Sequence, residues 1–247
     1  MNDIGKNNWF VFLHGDGLLN NNKLKKRVAK EAIMEIDSGM TLGLGSGSTM
    51  KYVLEYLSSE IKNGLDIIGI PTSVQTAQLA HKLGIPLTSF SKTTHIDIAI
   101  DGADEVDANF NLIKGGGGAL IREKIIGDAA DKFIIVIDKT KLVEQLGIFP
   151  LPVEVIPFGW EITSKNIQNL GASSKLRKIN DKPYVTDNGN YILDCNFGFI
   201  HSPLSLTKSI NSIVGVIDSG LFINMADKVF VSDENTVKTI FNKSKRR

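Results

Sequence analysis

The stretch KGGGGALIRE, Lys114 to Glu123, sets an ammonium, a run of glycines and a carboxylate close together. Glycine loses more backbone freedom on ordering than any other residue, so four in succession are costly. In return, Gly115, Gly116, Gly117 and Gly118 let the backbone approach a substrate closely. They also offer N–H groups ahead of a helix expected to begin near Ala119. Glu123 falls about one turn into that helix. If it points back toward the glycines, a base, an ammonium and backbone donors share one small space. Those are the parts needed to remove a proton next to a carbonyl and to hold the oxygen charge that develops. The plainer alternative leaves Glu123 on the helix surface, paired with Lys124 or another neighbour.

Two further loops have chemistry-bearing residues. GLGSGST, Gly43 to Thr49, joins an expected strand to an expected helix. Such a junction presents unpaired N–H groups and a positive dipole end, suited to a phosphate or another anion. Ser46, Ser48 and Thr49 add hydroxyls around Gly47. No lysine precedes the Ser-Thr pair, so this is not a Walker loop, and Ser48 stands where a dinucleotide fingerprint requires glycine. The plainer reading is a tight turn with Ser48 capping the helix. DGADEVD, Asp101 to Asp107, ends a very apolar run in carboxylates, which should face a ligand or solvent. Its spacing is not that of a calcium loop. His14, His81, His95 and His201 form no sequence-spaced ligand pair, so no metal is expected. Lys141, after FIIVIDKT, ends another expected strand.

The elements that must position these loops follow from periodicity. Asn22 is expected to cap a helix with Leu24, Val28, Ala32 and Ile36 on one face. TLGLG, DIIGI, HIDIAID and KFIIVID read as buried strands, and SVQTAQLAHKLG as a helix stopped at Gly84. Strand and helix alternating at this spacing predict a Rossmann-like α/β fold, a mostly parallel sheet with helices on both faces. Ligands in such sheets bind at the carboxyl edge, where the three loops would gather. After Pro150, Pro152 and Pro157 the pattern becomes strand VEVI, helix 161–170, strand KLRKI, hairpin YVTDNGNYILDC and helix 204–213. This is the βαββαβ order of a small ferredoxin-like α+β unit. DKVFVS then returns to the first sheet, followed by an expected short helix NTVKTIF. The expected division is an extension at 1–21, a catalytic domain at 22–149 and 219–247, and the small domain at 150–218.

The net charge of +1 gives no reason to expect nucleic acid or an anionic membrane as a partner. One cysteine, Cys195, excludes an internal disulfide and suits a reducing cytoplasm. No apolar run is long enough to span a bilayer. The start has an apolar patch, Trp9 to Leu13, without the charged region or cleavage site of a signal peptide. The basic end, Lys243 to Arg247, reads as a frayed tail.

GSGST, DGADEVD, KGGGGALIREKII, DKTK and FPLPVEVIPFG, in this order, resemble ribose-5-phosphate isomerase of the A type, from about Leu24 onward. The resemblance implies interconversion of ribose 5-phosphate and ribulose 5-phosphate in the pentose phosphate pathway, with no cofactor and no metal, by a homodimer or dimer of dimers. It implies that Glu123 is the proton acceptor. Ser46 to Thr49, Asp101, Gly102, Ala103, Asp104, Lys114, Gly115, Gly116, Gly117 and Lys141 would bind substrate. Ser46 departs from the commoner threonine but keeps the hydroxyl. The chemistry fits a cis-enediol route. Asp101 would assist ring opening, Glu123 would carry the proton from C2 to C1, Lys114 would stabilise the oxyanion, and Asp104 would orient hydroxyls and Lys114. The two aspartates could exchange roles, and either the serine-rich loop or Lys141 could hold the phosphate. Two rivals have other chemistry: a sugar-phosphate sensor, which needs no base, and a CoA transferase on a related scaffold, with glutamate as nucleophile.

Overall fold

The computed structural model describes residues 15–245. Expectations for residues 1–14, including the patch Trp9 to Leu13, and for Arg246 and Arg247 lie outside the described residues.

The chain opens with α1 (Gly15–Ile33), β1 (Thr41–Leu44), α2 (Ser48–Lys62), β2 (Ile68–Pro71) and α3 (Val74–Lys82). Next come β3 (Ile96–Asp101), β4 (Glu105–Val106), β5 (Leu112–Ile113), α4 (Leu120–Ala129) and β6 (Ala130–Asp138). The middle of the chain forms β7 (Leu151–Val155), α5 (Trp160–Gln168), β8 (Ser173–Leu176), β9 (Lys178–Ile179), β10 (Lys182–Pro183), β11 (Tyr191–Asn196) and α6 (Pro203–Asn211). It ends with β12 (Val216–Ser219), β13 (Leu221–Phe222), β14 (Lys228–Ser232) and β15 (Val237–Phe241).

The main sheet has the order β15-β14-β6-β3-β1-β2. All its pairings are parallel except β14 with β15. Strands covered on both faces must be apolar on both, and β6 shows how. Ile134 and Val136 pack with residues of α1 and α2, while Phe133, Ile135 and Ile137 pack on the other side with Ile126 of α4. From β1 the chain moves outward to β2, then crosses back to place β3 on the other side of β1. This reversal opens a crevice beyond the carboxyl ends of β1 and β3, the standard ligand position in such sheets.

The small sheet has the order β12-β7-β11-β8, all antiparallel, with α5 and α6 in the connections. Numbered within the unit this is 4-1-3-2, the ferredoxin-like arrangement expected from βαββαβ. A third sheet, β13-β5-β4, lies between. The glycine loop therefore follows β5 of this small sheet and not a strand of the parallel sheet, as expected for all three loops. Lys114 N–H donates to the Gly220 carbonyl at 2.9 Å and so fixes the start of the loop against β13.

Several local expectations are corrected. Helix α1 already runs from Gly15, so Asn22 is an interior residue and not a cap. NTVKTIF is the strand β15 and not a helix: its β-branched residues suit the free edge of β14, whose hydrogen bonds it completes. The turn at Asn188-Gly189 exists, with Gly189 at φ 81°, but its arms do not form a hairpin. Instead β11 inserts between β7 and β8 and buries Leu193 and Cys195 in the small core. KLRKI breaks at Arg177 into β8 and β9, and β9 pairs with β10 in a separate ribbon. The described part of the basic tail is tied down, since Lys245 Nζ bonds the Met225 carbonyl and lies 3.4 Å from Asp227.

Gly43 shows how tightly α4 sits on the sheet. A Cβ there would lie 2.4 Å from Ile126 Cγ2 and 2.8 Å from Ala99 Cβ. Gly43→Val should therefore destabilise the fold by about 1–3 kcal/mol through overpacking. Urea unfolding measures this, and an unchanged midpoint would show that α4 can shift freely.

Candidate active site

The crevice at the switch point holds a cavity of about 240 Å³. Four loops and α1 surround it, the fourth being the turn after β6. The turn after β1 is forced close to β3: a Cβ on Gly45 would lie 2.3 Å from Asp101 Cγ. Gly47, at φ 91°, ends the turn and stands at the N-cap of α2. Ser48 is the first residue of the helix and makes no cap bond, contrary to the plainer sequence reading. Its Oγ instead accepts a hydrogen bond from Lys25 Nζ at 2.9 Å. Ser46, Gly47, Ser48 and Thr49 all face the cavity.

The carboxylate loop divides by function. Glu105 accepts Gly147 N–H at 2.7 Å and Phe149 N–H at 2.5 Å, which pins the chain before β7. Asp107 accepts from the N–H groups of Asn109 and Asn111 and holds its own turn. Neither is the exposed acid of a solvated loop. Gly102, Ala103 and Asp104 line the cavity, and Asp104 Oδ2 accepts Gly116 N–H at 2.8 Å. Asp101 lies deeper, 2% exposed and outside the lining. Its Oδ1 accepts the N–H groups of Ser46 and Gly102.

The glycines have separate reasons. Gly115 and Gly118 adopt φ of 94° and 85°, where other residues are strained. A Cβ on Gly116 would meet Asp104 at 2.7 Å, and one on Gly118 would meet Tyr184 Oη at 2.2 Å. Gly117 faces open space and lines the cavity.

At the floor, Lys114 Nζ donates to the Gly102 carbonyl at 2.5 Å and lies 2.9 Å from Asp101 Oδ2 and 3.3 Å from Glu123 Oε2. Glu123 points back from the first turn of α4, buried, with Oε1 accepting Ser46 Oγ at 2.5 Å. Glu123 Oε2 has no hydrogen-bond partner among the described residues. One ammonium thus faces two buried carboxylates. Burial pushes Asp101 up to about 7 despite Lys114, and the Glu123 charge adds to the rise. Burial alone would lower Lys114, but Asp101 and Glu123 outweigh it and hold the ammonium above its ordinary range. Asp104 is also raised by burial, with Gly116 N–H opposing.

The other end of the cavity is cationic. Lys141, in a 3-10 turn after β6, lines it as expected. Sequence reasoning missed Asn21, Lys25, Asp138 and Thr140, which line it too. Burial lowers Lys25, Asp138 opposes this, and the like charge of Lys141 adds to it. Nothing separated Lys25 from its neighbours Lys23 and Lys26 in the sequence, because its importance comes from where α1 crosses α2. Asp138 did carry a signal, an acid ending an apolar strand like Asp101. It accepts Thr140 N–H at 3.0 Å and shapes the turn.

A separate cluster, His95, Asp97 and Asp131, brings its ligand-type atoms within 4.8 Å of one another. Sequence spacing hid it because β3 and β6 pair there, Ile96 opposite Ala130. It sits at the amino ends of the strands, away from the cavity.

An open parallel sheet with a carboxylate–ammonium cluster and a helix N-terminus at its switch point defines an α/β enzyme. The sequence pattern of the family described as "Ribose 5-phosphate isomerase A (phosphoriboisomerase A)" matches residues 68–236. A relative from Oceanobacillus iheyensis, "Ribose-5-phosphate isomerase A 1", is 54% identical over 216 residues, covering 87% of this chain and 96% of its own. The solved ribose 5-phosphate isomerase from Plasmodium falciparum is 43% identical with a TM-score of 0.87, covering 90% of this chain and 99% of its own. A D-ribose-5-phosphate isomerase solved in complex with phospho-erythronic acid has 43% identity and a TM-score of 0.86, over 89% of this chain and 98% of its own. The chain belongs to the ribose 5-phosphate isomerase A family. Among the described residues no helix is long and apolar enough to cross a membrane.

The raised value of Asp101 has a pH consequence. The unfolded side chain titrates near roughly 3.9, so between that pH and about 7 the folded state holds an extra proton. The stability from this proton is fully present below the unfolded value and is lost as pH rises through about 7. Carboxyl carbon NMR should show one aspartate titrating near 7 that disappears in Asp101→Asn. A spectrum in which every aspartate titrates in the ordinary acid range would refute the raised value of Asp101.

Proposed function

We propose that this chain interconverts ribose 5-phosphate and ribulose 5-phosphate through a cis-enediol, with Glu123 as the base. The observation that carries the reading is Glu123 itself: it is buried in the cavity lining, anchored by Ser46 through Oε1, with Oε2 free of hydrogen-bond partners among the described residues and 3.3 Å from the Lys114 ammonium. An isomerase base must take a proton from C2 and return it to C1, so it needs a lone pair that no hydrogen bond already occupies. Lys114, 3.3 Å from that free oxygen, is placed to stabilise the enediolate oxygen as charge develops. Gly117 N–H at the cavity wall is a candidate second donor.

Ring opening needs a group that reaches the sugar. Asp104 lines the cavity while Asp101 lies behind it, so we assign the proton shuttle of ring opening to Asp104. Asp101 then keeps Lys114 charged and in place. The two aspartates thereby exchange the roles first expected of them. The phosphate fits the opposite end, between Lys25 and Lys141 and against the N-terminus of α2, where Ser48 and Thr49 offer hydroxyls. Both loops considered from sequence thus serve one anion site.

The reading treats 22–149 with 219–247 as the catalytic domain and 150–218 as the smaller one, a division supported by the separate sheets. It also takes the chain as a cytoplasmic homodimer or dimer of dimers. Phe158, Ile162 and Val214 are 94%, 65% and 91% exposed on the small unit, and such an apolar surface suits a second copy.

Glu123→Gln should lower kcat by ~10²–10⁴-fold while KM stays within a few-fold. It should also stop exchange of solvent deuterium into the sugar. Near-normal turnover would remove Glu123 from the role, and activity that fails with chelator and returns with metal would contradict the cofactor-free route. Lys25→Ala should act at the other end, raising KM and weakening inhibition by phospho-erythronic acid, whose carboxylate can mimic the enediolate. Competition kinetics measures this, and an unchanged inhibition constant would place the phosphate elsewhere.

A further inference from the structure

The glycine loop is held from outside the cavity by the small unit. Arg177 stands at the break between β8 and β9, and its Nη1 donates to the carbonyls of Gly115 at 3.0 Å and Gly116 at 3.1 Å. The other side of the guanidinium is fixed by Asp194 of β11, with Nε to Oδ2 at 3.0 Å and Nη2 to Oδ1 at 2.5 Å. The planar fork therefore cannot turn without breaking a bidentate pair. Tyr184 adds a second brace, its Oη 3.4 Å from the Gly117 carbonyl and its ring 6.0 Å from the guanidinium. Arg177 does not line the cavity.

A trans peptide is planar, so the carbonyl of one residue and the N–H of the next point in opposite directions. The Gly115–Gly116 peptide shows this directly: its carbonyl lies on Arg177, and its N–H donates to Asp104 on the far side. The next peptide has its carbonyl on Arg177 as well, which turns Gly117 N–H away from the small unit. The loop's own turn bond, from Gly118 N–H to the Gly115 carbonyl at 3.0 Å, helps to orient the first of these planes. The second has no such bond within the loop, and glycines tolerate many other peptide orientations, so its orientation rests on Arg177.

We propose that Arg177, oriented by Asp194, is a positioning residue for the isomerisation: it sets the peptide planes of the glycine loop. One N–H is thereby given to Asp104 and the next is presented to the substrate oxygen. The inference rests on the proposed placement of the reacting carbons beside Lys114 and the glycine loop.

The test is steady-state kinetics on ribose 5-phosphate with thermal melts on the same samples. In Arg177→Ala, kcat should fall roughly 10–100-fold, as for a misaimed catalytic group, with KM changed less than about three-fold. Free guanidinium should restore part of the lost rate in Arg177→Ala and none in Glu123→Gln. Arg177→Lys should recover little, because one ammonium cannot bond two carbonyls and Asp194 in the same geometry. Asp194→Asn gives an independent measure, with a smaller loss confined to kcat. If Arg177→Ala does not fold, Asp194→Asn decides, and unchanged kcat there overturns the proposal. The proposal also fails if Arg177→Ala keeps kcat within about two-fold of wild type, or if its loss follows melting temperature without guanidinium rescue. Gly117→Ala separates this failure from that of the underlying reading. Its methyl enters open space in the cavity and should raise KM. Impaired Gly117→Ala beside unimpaired Arg177→Ala sinks only the Arg177 role, whereas two silent variants remove the loop from the site.

Discussion

Lys114 is surrounded by more negative charge than it can neutralise. Asp101 and Glu123 both reach its ammonium in a space from which water is largely excluded. Removing one partner of a buried ion pair costs about 3–5 kcal/mol, because the other charge is left stranded. The cluster is therefore not a cheap stabilising device, and the surrounding structure is shaped to sustain it. Gly45 is small because Asp101 occupies the place of its Cβ. Ser46 gives its N–H to Asp101 and its hydroxyl to Glu123, so one turn steadies both carboxylates. The Gly102 carbonyl takes a further Lys114 proton. An excess negative charge held this way attracts a proton, which is what an enzyme moving protons on a neutral sugar carbon needs.

The sheet topology explains why these groups meet. Asp101 ends β3, Ser46 follows β1, and the order of the sheet makes these strands neighbours at the switch point. Lys114 and Glu123 flank the glycines, so a compact loop suffices to return the helix to the lysine. The cationic end depends on α1 instead, which crosses to bring Lys25 to Ser48. In the proposed reading, proton transfer and anion binding fall at opposite ends of one cavity, a separation that suits a substrate with its reacting carbons at one end and its phosphate at the other.

Much of this was legible in the sequence, for identifiable reasons. The buried strands declared themselves because both faces are apolar. The glycine, serine and carboxylate loops stood out because such residues are costly unless used. What could not be read depends on tertiary neighbours. The strand NTVKTIF needed β14 beside it. The insertion of β11 between β7 and β8 reversed an apparent hairpin, because pairing with the core outweighed a local turn preference. Lys25, Arg177 and the start of α1 carry no local mark, and each acquires its place only through an element distant in sequence. The split of DGADEVD into cavity residues and backbone anchors was equally invisible, since identical side chains serve both ends.

That split shows what separates a working carboxylate from a structural one here. Burial alone does not, because Glu105 and Glu154 are as buried as Asp101 and Glu123. Incomplete hydrogen bonding alone does not either. Glu154 Oε1 accepts from Thr186, Asn188 and Asn190, while its Oε2 has no partner among the described residues, in the manner of Glu123 Oε2. The difference lies in what the spare oxygen faces. Glu154 is enclosed by neutral donors of a turn that Arg122 and Val74 N–H grip from the larger unit, so its strength goes into holding that turn. The spare oxygen of Glu123 lies instead 3.3 Å from an ammonium, on a residue that lines the cavity. Two carboxylates with similar bonding deficits thus differ in their surroundings, neutral donors of a turn for one and an ammonium beside the cavity for the other, and this difference is why Glu123 and not Glu154 is proposed as the base.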